Sequence, residues 1–341
     1  MEPARRPRGE PLDERVLHVD PARGTLTDLR VRELPDTLRA GDVLVLNDAA
    51  TIPASLRVRT SAGETIELRL AGAIDDRRWS AVLFDAADWR TKTEDRAAPP
   101  TVREGETLFV GPDLHARVTS VSSVSPRLIS IAFSCEGVDL WRGIYRHGRP
   151  IQYAYAARPF ELWDVQNRFA SRPWSVEPPS ASHALTLPLI AAMRARGVIV
   201  ATVTHAAGLS STGDAVLDAA LPLPERYDLP EDTVRAVVAA HARGSRIVAG
   251  GTTVVRALEG CAHSNGGALV AGVGTTELHI ARGFRPTVID GVFTGVHEPS
   301  TSHYDLLEAF APADLIAQAT RHAEATRYMI HEFGDAMLVL G

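Results

Sequence analysis

From about Ile52 to Ser134 the chain alternates apolar and polar positions in short runs, and after about Pro178 its apolar residues fall into longer runs at helical spacing. The first group comprises "IELRLAGAI", "RWSAVLF", "TLFVG", "HARVTSVSS" and "RLISIAF", divided by Gly, Pro and Asp. Alternation at period two with regular turn signals predicts a small antiparallel barrel or sandwich, uninterrupted by helix. Ahead of it, "ERVLHVD" and "VLVLN" read as strands, with the turn-rich "PARGTLTD" between them. In the later part, "LTLPLIAAMRARG" predicts a helix ending at Gly197, and "VIVATVT" a buried strand. "LPEDTVRAVVAAHARG" has Pro230 and acidic residues at a helix start and Gly244 past its end. Its apolar stripe is Val234, Val237, Val238 and His241, which makes His241 a core residue with a satisfied ring.

"SRIVAG" is the next strand, and it runs through two glycines into the helix "TTVVRALEG". "ELHIA" and "TVIDGVFTG" add strands, "HYDLLEAFA" and "ADLIAQATRHAEA" add helices, and "AMLVL" closes the chain as a strand. Strand alternating with helix is the signature of an α/β unit. The expected class is therefore α/β, with a main α/β domain built from residues 1–51 and 146–341. A β-rich, barrel-like domain, 52–145, is inserted into it.

Composition narrows the function. Hydrophobic residues make up 45% and charged residues 23% of 341 positions, as in ordinary globular proteins. "MEPARRPRGEP" lacks the apolar core of a secretion signal, and no apolar run reaches membrane-spanning length. A cytoplasmic location without membrane partners is the expectation. Only Cys135 and Cys261 are present, and no histidine pair has metal-ligand spacing, so neither a disulfide framework nor a metal site is expected. Lys92 is the only lysine. That excludes a Walker phosphate loop and leaves Schiff-base chemistry only a lysine in a polar stretch. The net charge of −6 argues against a surface built throughout for nucleic acid, though not against a local basic groove.

The candidate chemistry lies mainly in loops after strands. In "VAGGTTVVRALEG" the glycines Gly250 and Gly251 turn the chain, and Thr252 and Thr253 open a helix. Unpaired first-turn amides there suit an anion or carboxylate, and the competing reading is a tight turn with a threonine N-cap. Arg256 and Glu259 on the next turn either serve the site or pair with each other. His205 ends a strand ahead of a Gly/Ser loop, and His297 and His303 flank a Pro-Ser-Thr turn. Asp290 lies in the otherwise apolar "TVIDGVFTG", so it is either paired, with Arg256 as the expected partner, or functional. "AGVGTTELHIARG" offers a glycine loop after a strand, but its second half reads as another strand, against a Rossmann methyltransferase.

These pieces together resemble the S-adenosylmethionine:tRNA ribosyltransferase-isomerase family of the queuosine pathway. "ERVLHVD" resembles the family's opening strand, and "LRAGDVLVLNDAATIPASL" is similar to L-x-x-G-D-L-L-V-x-N-D-T-R-V-I-P-A-R-L. "GGTTVVRALE" matches V-G-T-T-S-V-R-T-L-E, "RPTVIDGVFTGVHEPSTS" resembles F-x-V-V-D-x-L-L-T-N-F-H-L-P-K-S-T, and "EFGDAMLVL" is similar to Y-G-D-A-M-L-I. The strings occur in the family's order across nearly the whole chain. The resemblance implies an α/β domain with an inserted β-barrel. It also implies S-adenosylmethionine as a substrate whose sulfonium acidifies the ribose 5′ carbon. A base removes that proton, adenine departs, the aminomethyl group of a 7-deazaguanine in tRNA attacks, and methionine leaves as an epoxy-cyclopentane closes. On this resemblance His205, His297 and Asp290 are the catalytic candidates. Asn47, Asp48, Gly250, Gly251, Thr252, Thr253 and Arg256 are the candidates for holding S-adenosylmethionine.

The sequence departs from the family where the chemistry is expected. N-D-T-R becomes "NDAA", which keeps Asn47 and Asp48 and loses the arginine. A-P-T-A-G-L-H-F-T becomes "PPSASHALT", with His183 one place from the family's histidine. H-x-M-H-x-E becomes "LPLPERY", keeping Glu225 and Tyr227. L-H-V-G-L-G-T-F becomes "THAAGLSST" with His205, and Ser300 takes the lysine position after His297 and Pro299. A basic segment has shrunk to "FELWDVQNRFA". Three readings are open: the family's reaction on tRNA, a diverged enzyme with a small-molecule acceptor or adenine elimination, and a non-catalytic paralogue that binds a nucleoside or tRNA. The single lysine, the net negative charge and the shortened basic segment predict weak or absent affinity for tRNA.

Overall fold

A computed structural model describes residues 1–299 and 301–341; Ser300 lies outside the described residues. The main sheet has nine strands, in the order Gly272–Thr276, Glu225–Leu229, Ile199–His205, Val43–Asn47, Ile247–Gly250, Gly291–Gly295, Ala336–Val339, Arg15–Asp20 and Thr25–Arg30. The four central strands, from Ile199–His205 to Gly291–Gly295, are parallel to one another, so their carboxyl ends share one edge. All five residues of Val43–Asn47 are buried because both faces of the sheet are covered. On one face, Leu44, Leu46, Val248 and Phe293 meet Leu185, Leu189, Ile190 and Met193, on and just before the helix Leu187–Ala195. On the other, Val43, Val45 and Ala249 meet the helices Glu231–Ala242 and Thr252–Ser264, while Leu17 and Val19 meet Ala313–Ala325. The outer pairs are antiparallel or, for Arg15–Asp20, parallel to Ala336–Val339.

The second sheet closes on itself. Its strands Ser55–Arg59, Thr65–Ala73, Arg78–Phe84, Leu128–Phe133, His115–Val121 and Thr107–Phe109 pair in that order, and Arg59 meets Phe109 to complete a six-stranded antiparallel barrel. Alternate residues fill it, among them Leu56, Val58, Ile66, Leu68, Ile129, Ile131 and Phe133. The expected class, an α/β fold carrying a β-barrel, is the one observed.

Two local expectations fail and one helix is unanticipated, each for a packing reason. Residues read as a turn include the edge strand Thr25–Arg30, whose only apolar side chains are Leu26 and Leu29. The helix Gly137–His147 follows the barrel strands, sinking Leu140 and Ile144 into the barrel's apolar core while Val138 and Tyr145 stay exposed and blur its stripe. "ELHIA" forms no strand; the glycine run before it does, as the edge strand Gly272–Thr276. Gly274 is required there because a Cβ would overlap the Tyr227 ring of the paired strand.

Candidate functional site

The carboxyl ends of the central strands gather most of the candidate residues, where open α/β sheets leave a crevice for ligands. Asn47 is fully buried and knots three of these ends together. Its Nδ2 donates to the His205 carbonyl (3.0 Å) and to Thr253 Oγ1 (3.2 Å), while Oδ1 accepts from the amides of His205 and Ala49 (both 3.0 Å). Beside it, Asp48 Oδ1 accepts from the Thr204 hydroxyl at 2.6 Å. Thr204 in turn accepts from Arg172 Nη2 at 2.7 Å, and Arg172 Nη1 is 2.6 Å from Asp228. Asn47 and Asp48 thus set the shape of the crevice wall.

The two glycines of the turn have different reasons. A Cβ on Gly250 would lie 2.5 Å from Leu46 Cδ2, so this glycine lets adjacent strands pack. Gly251 has φ 108° and ψ 155°, a region open only to glycine, and its amide donates to the Phe293 carbonyl at 2.8 Å. Gly251, not a threonine, is the N-cap of the helix Thr252–Ser264, and among the described residues no cap side chain bonds its first amides. Those of Thr252 and Thr253 remain available at the crevice.

Behind this turn Arg256, Glu225 and His205 form a buried cluster. Arg256 Nε donates to the Leu278 carbonyl at 3.1 Å, Nη1 bonds Glu225, and Nη2 is buried with no partner among the described residues. Glu225 also accepts from the Gly208 amide at 2.7 Å. The His205 ring is fully buried, and neither ring nitrogen has a hydrogen-bond partner among the described residues. Its Nε2 is 3.2 Å from Glu225 Oε2, but the approach is too poorly aligned to count as a hydrogen bond. Burial, reinforced by the Arg256 charge, pushes His205 down to about 3, so the ring is neutral at physiological pH. Burial also lowers Arg256, to about 10. Arg256 pairs with neither residue expected from the sequence. Glu259 instead gathers the amides of Thr287, Val288 and Ile289 at 2.9–3.1 Å.

His297 follows the strand Gly291–Gly295, with Nε2 2.9 Å from Thr294 Oγ1 and its ring stacked on His303 at 5.0 Å. Burial first, and the neighbouring His303 and His331 second, hold His297 well below its usual range. Across the crevice, His183 is pushed by burial to about 4 and lies edge-on to Phe333. The buried Ser182 hydroxyl has no partner among the described residues. Sequence reasoning missed Tyr153, Tyr155, Glu177 and Glu332. Tyr153 donates to Glu177, which also accepts from the Ser210 amide at 3.1 Å; Tyr155 donates to Glu332. Burial raises both carboxyls, Glu332 to about 7. All four lie in irregular segments, where no periodicity flags a residue.

Asp290 lies apart from the other catalytic candidates and does not make the expected pair with Arg256. It is exposed at the amino edge of the sheet, where Oδ2 accepts from the Ile247 amide at 2.8 Å. Its carboxylate ends a strand ladder at the opposite edge from the crevice, away from Arg256. An open hollow of about 370 Å³ also lies at that amino edge, lined by His18, Asp20, Arg39 and Arg246, and takes in none of the candidate residues.

The geometry defines an α/β protein with a β-barrel and, at the strand carboxyl ends, a cluster of buried polar groups, several without a hydrogen-bond partner among the described residues. The family model described as "Queuosine biosynthesis protein" matches residues 2–339, and the chain belongs to that family. It is 36% identical over 322 residues to the S-adenosylmethionine:tRNA ribosyltransferase-isomerase of Thermus thermophilus, covering 91% of this chain and 88% of the relative. The Acidithiobacillus ferrooxidans protein of the same name is 34% identical over 334 residues, covering 95% and 90%. A crystal structure of S-adenosylmethionine tRNA ribosyltransferase from Thermotoga maritima aligns over 99% of this chain and 96% of its own, with TM-score 0.53 and 26% identity.

Proposed function

We propose that the chain transfers and isomerises the ribosyl group of S-adenosylmethionine onto a 7-deazaguanine base of tRNA, releasing adenine and methionine. The observation that supports the site assignment is that, of the eight buried side-chain polar atoms without a partner among the described residues, four lie at this edge: both His205 ring nitrogens, Arg256 Nη2 and Ser182 Oγ. Native structures rarely leave such atoms unpaired, and a ligand with matching groups satisfies them. The methionine carboxylate suits Arg256 Nη2 together with the amides of Thr252 and Thr253. His205 and His297, both neutral, offer imidazole nitrogens able to accept a proton from the sulfonium-activated carbon.

The small-molecule and non-catalytic readings are not favoured, because the relatives compared are named for a tRNA reaction. Low lysine content weighs less than local geometry. Next to the Asp48–Thr204 wall, the guanidiniums of Arg172 and Arg226 lie 4.5 and 4.0 Å from the Trp174 ring, a cationic and aromatic surface of the kind that RNA contacts use. No helix among the described residues is long and apolar enough to cross a membrane. The test is adenine release from S-adenosylmethionine with and without tRNA bearing the aminomethyl-deazaguanine, with the tRNA mass followed in parallel. Adenine release matched by a mass gain on tRNA is expected. Release with no mass gain, or no release, overturns the reading.

A further inference from the structure

The loop between Ile330 and Ala336 lies at the same sheet edge as the Gly251 turn. Gly295 pairs with Ala336, the Val296 amide donates to the Asp335 carbonyl at 3.2 Å, and Gly251 donates to Phe293 of the same strand. The loop is firmly held. The buried Asp335 carboxylate accepts from the amides of Arg15 (3.0 Å) and Met329 (2.8 Å), and it pairs with Arg8 and Arg15 (both 3.0 Å). Phe333 packs edge-on against Phe160 at 5.2 Å. His331 has φ 70°, an uncommon conformation for a non-glycine residue, and its ring lies flat on Tyr155, with centroids 4.1 Å apart and planes 5° apart. Tyr155 also donates to Glu332. The loop therefore presents a carboxyl group and a planar ring pair side by side.

We propose that Glu332 and the Tyr155–His331 ring pair form the acceptor subsite, in which the rings face a planar base and the Glu332 carboxylate removes a proton from its ammonium group. The inference rests on the functional reading above, in which an aminomethyl group is the nucleophile. An alkylammonium carries its proton at neutral pH and has no lone pair to attack with. The step is a proton transfer alone: one N–H bond breaks, one O–H bond forms, and the lone pair left on nitrogen becomes the nucleophile.

The cations near this loop are engaged elsewhere: Arg8 and Arg15 pair with Asp335, and Arg168 acts on His183. Tyr153 and Tyr155 face the site from one segment, His331 from the loop itself, His297 and Glu298 from the end of the neighbouring strand, and His183 beside Phe333. Burial lowers His183, His297 and His331, which leaves these rings neutral at physiological pH. The same burial, with no cation to offset it, raises Glu332 to about 7. An incoming ammonium supplies the missing charge, and a carboxyl of that strength can both take up and return a proton.

The methionine end of S-adenosylmethionine also carries an ammonium, so the experiment separates the two sources. Glu332→Gln keeps a partner for Tyr155 and removes the base. The variant should bind S-adenosylmethionine with unchanged affinity by calorimetry. Its rate of mass gain on tRNA, the step that needs the free amine, should fall about 10²-fold near pH 7 and recover as pH approaches that of amine deprotonation. Glu332→Asp should retain part of the rate. Weakened S-adenosylmethionine binding, or a rate loss that is the same at every pH, overturns the assignment. A wild-type protein that releases no adenine with tRNA fails the functional reading itself, which is distinct from an active wild type matched by an equally active Glu332→Gln.

Discussion

The two edges of the main sheet treat buried polar groups in opposite ways. At the amino edge, Asp42 accepts from the amides of Arg39 (2.8 Å) and Arg246 (3.1 Å) and pairs with the Arg246 guanidinium at 2.6 Å. Arg246 spends its remaining donors on the carbonyls of Gly341 (2.7 Å) and Thr37 (3.1 Å). Asp290 closes the same edge through the Ile247 amide. At the carboxyl edge, Arg256 keeps a donor unspent and His205 keeps both ring nitrogens idle among the described residues. One arginine thus spends its donors holding strand ends at one edge, while another keeps a donor unspent among the described residues at the other. Between these two edges, completeness of hydrogen bonding is the sharper difference, although Arg8, Arg69 and Trp79 elsewhere also keep buried polar atoms without a partner among the described residues.

That contrast can be broken by mutation. The largest stability effect should come from Asp42→Ala, which strands the Arg246 guanidinium near the strand starts and should cost about 3 kcal/mol in chemical denaturation. Adenine release per folded molecule should not change. A rate loss there would mean that the amino edge takes part in function.

His205→Leu should behave in the opposite sense. Removing two unpartnered buried nitrogens should leave stability equal or higher, while adenine release falls about 10²-fold. The pH dependence gives a second check. Because His205 is lowered from 6.5 to about 3 in the folded protein, the unfolded chain takes up a proton that the folded ring refuses. The contribution is present above pH 6.5 and lost as pH falls towards 3. Melts recorded across that range should show a shallower acid loss in the variant, with the other lowered histidines supplying what remains. An unchanged acid limb would show that the ring is not buried neutral.

The smallest effect should come from Asp290→Ala, which removes one acceptor from an exposed strand end. A stability loss of about 1 kcal/mol with normal turnover is expected. A large drop in turnover at full stability would return Asp290 to the site.

The parts of this protein legible in its sequence are those where one local pattern decides the outcome. Continuous apolar runs mark the central strands, and glycines mark the turn after Ile247–Gly250, so His205 and Arg256 can be placed near strand carboxyl ends from the sequence alone. Asp290 misleads because an acid beside apolar residues looks buried from the sequence, whereas it stands one residue before its strand, where water reaches it. Glu332 and Tyr155 are 177 positions apart and acquire their relation only through tertiary packing. The same holds for Arg256 and Glu225, whose pairing depends on how a helix packs against a strand distant in sequence. Spacing along the chain cannot encode such contacts.

The topology of the main sheet also bears on how the molecule assembles. Val43–Asn47 lies at the middle of the sheet, yet its neighbours are Ile199–His205 and Ile247–Gly250, roughly 150 to 200 residues downstream. Pairings at that range are slow to form, because the closure entropy of a long loop comes due before any contact rewards it. The barrel lies within that gap and is built from antiparallel neighbours, mostly close in sequence. Next to its ends, Ala50 pairs with Pro173 and Thr51 with Ser175, drawing the two flanks of the gap together. Once formed, the barrel turns a long flexible excursion into a short tether, so its hairpins set the pace at which the central strand finds its partners.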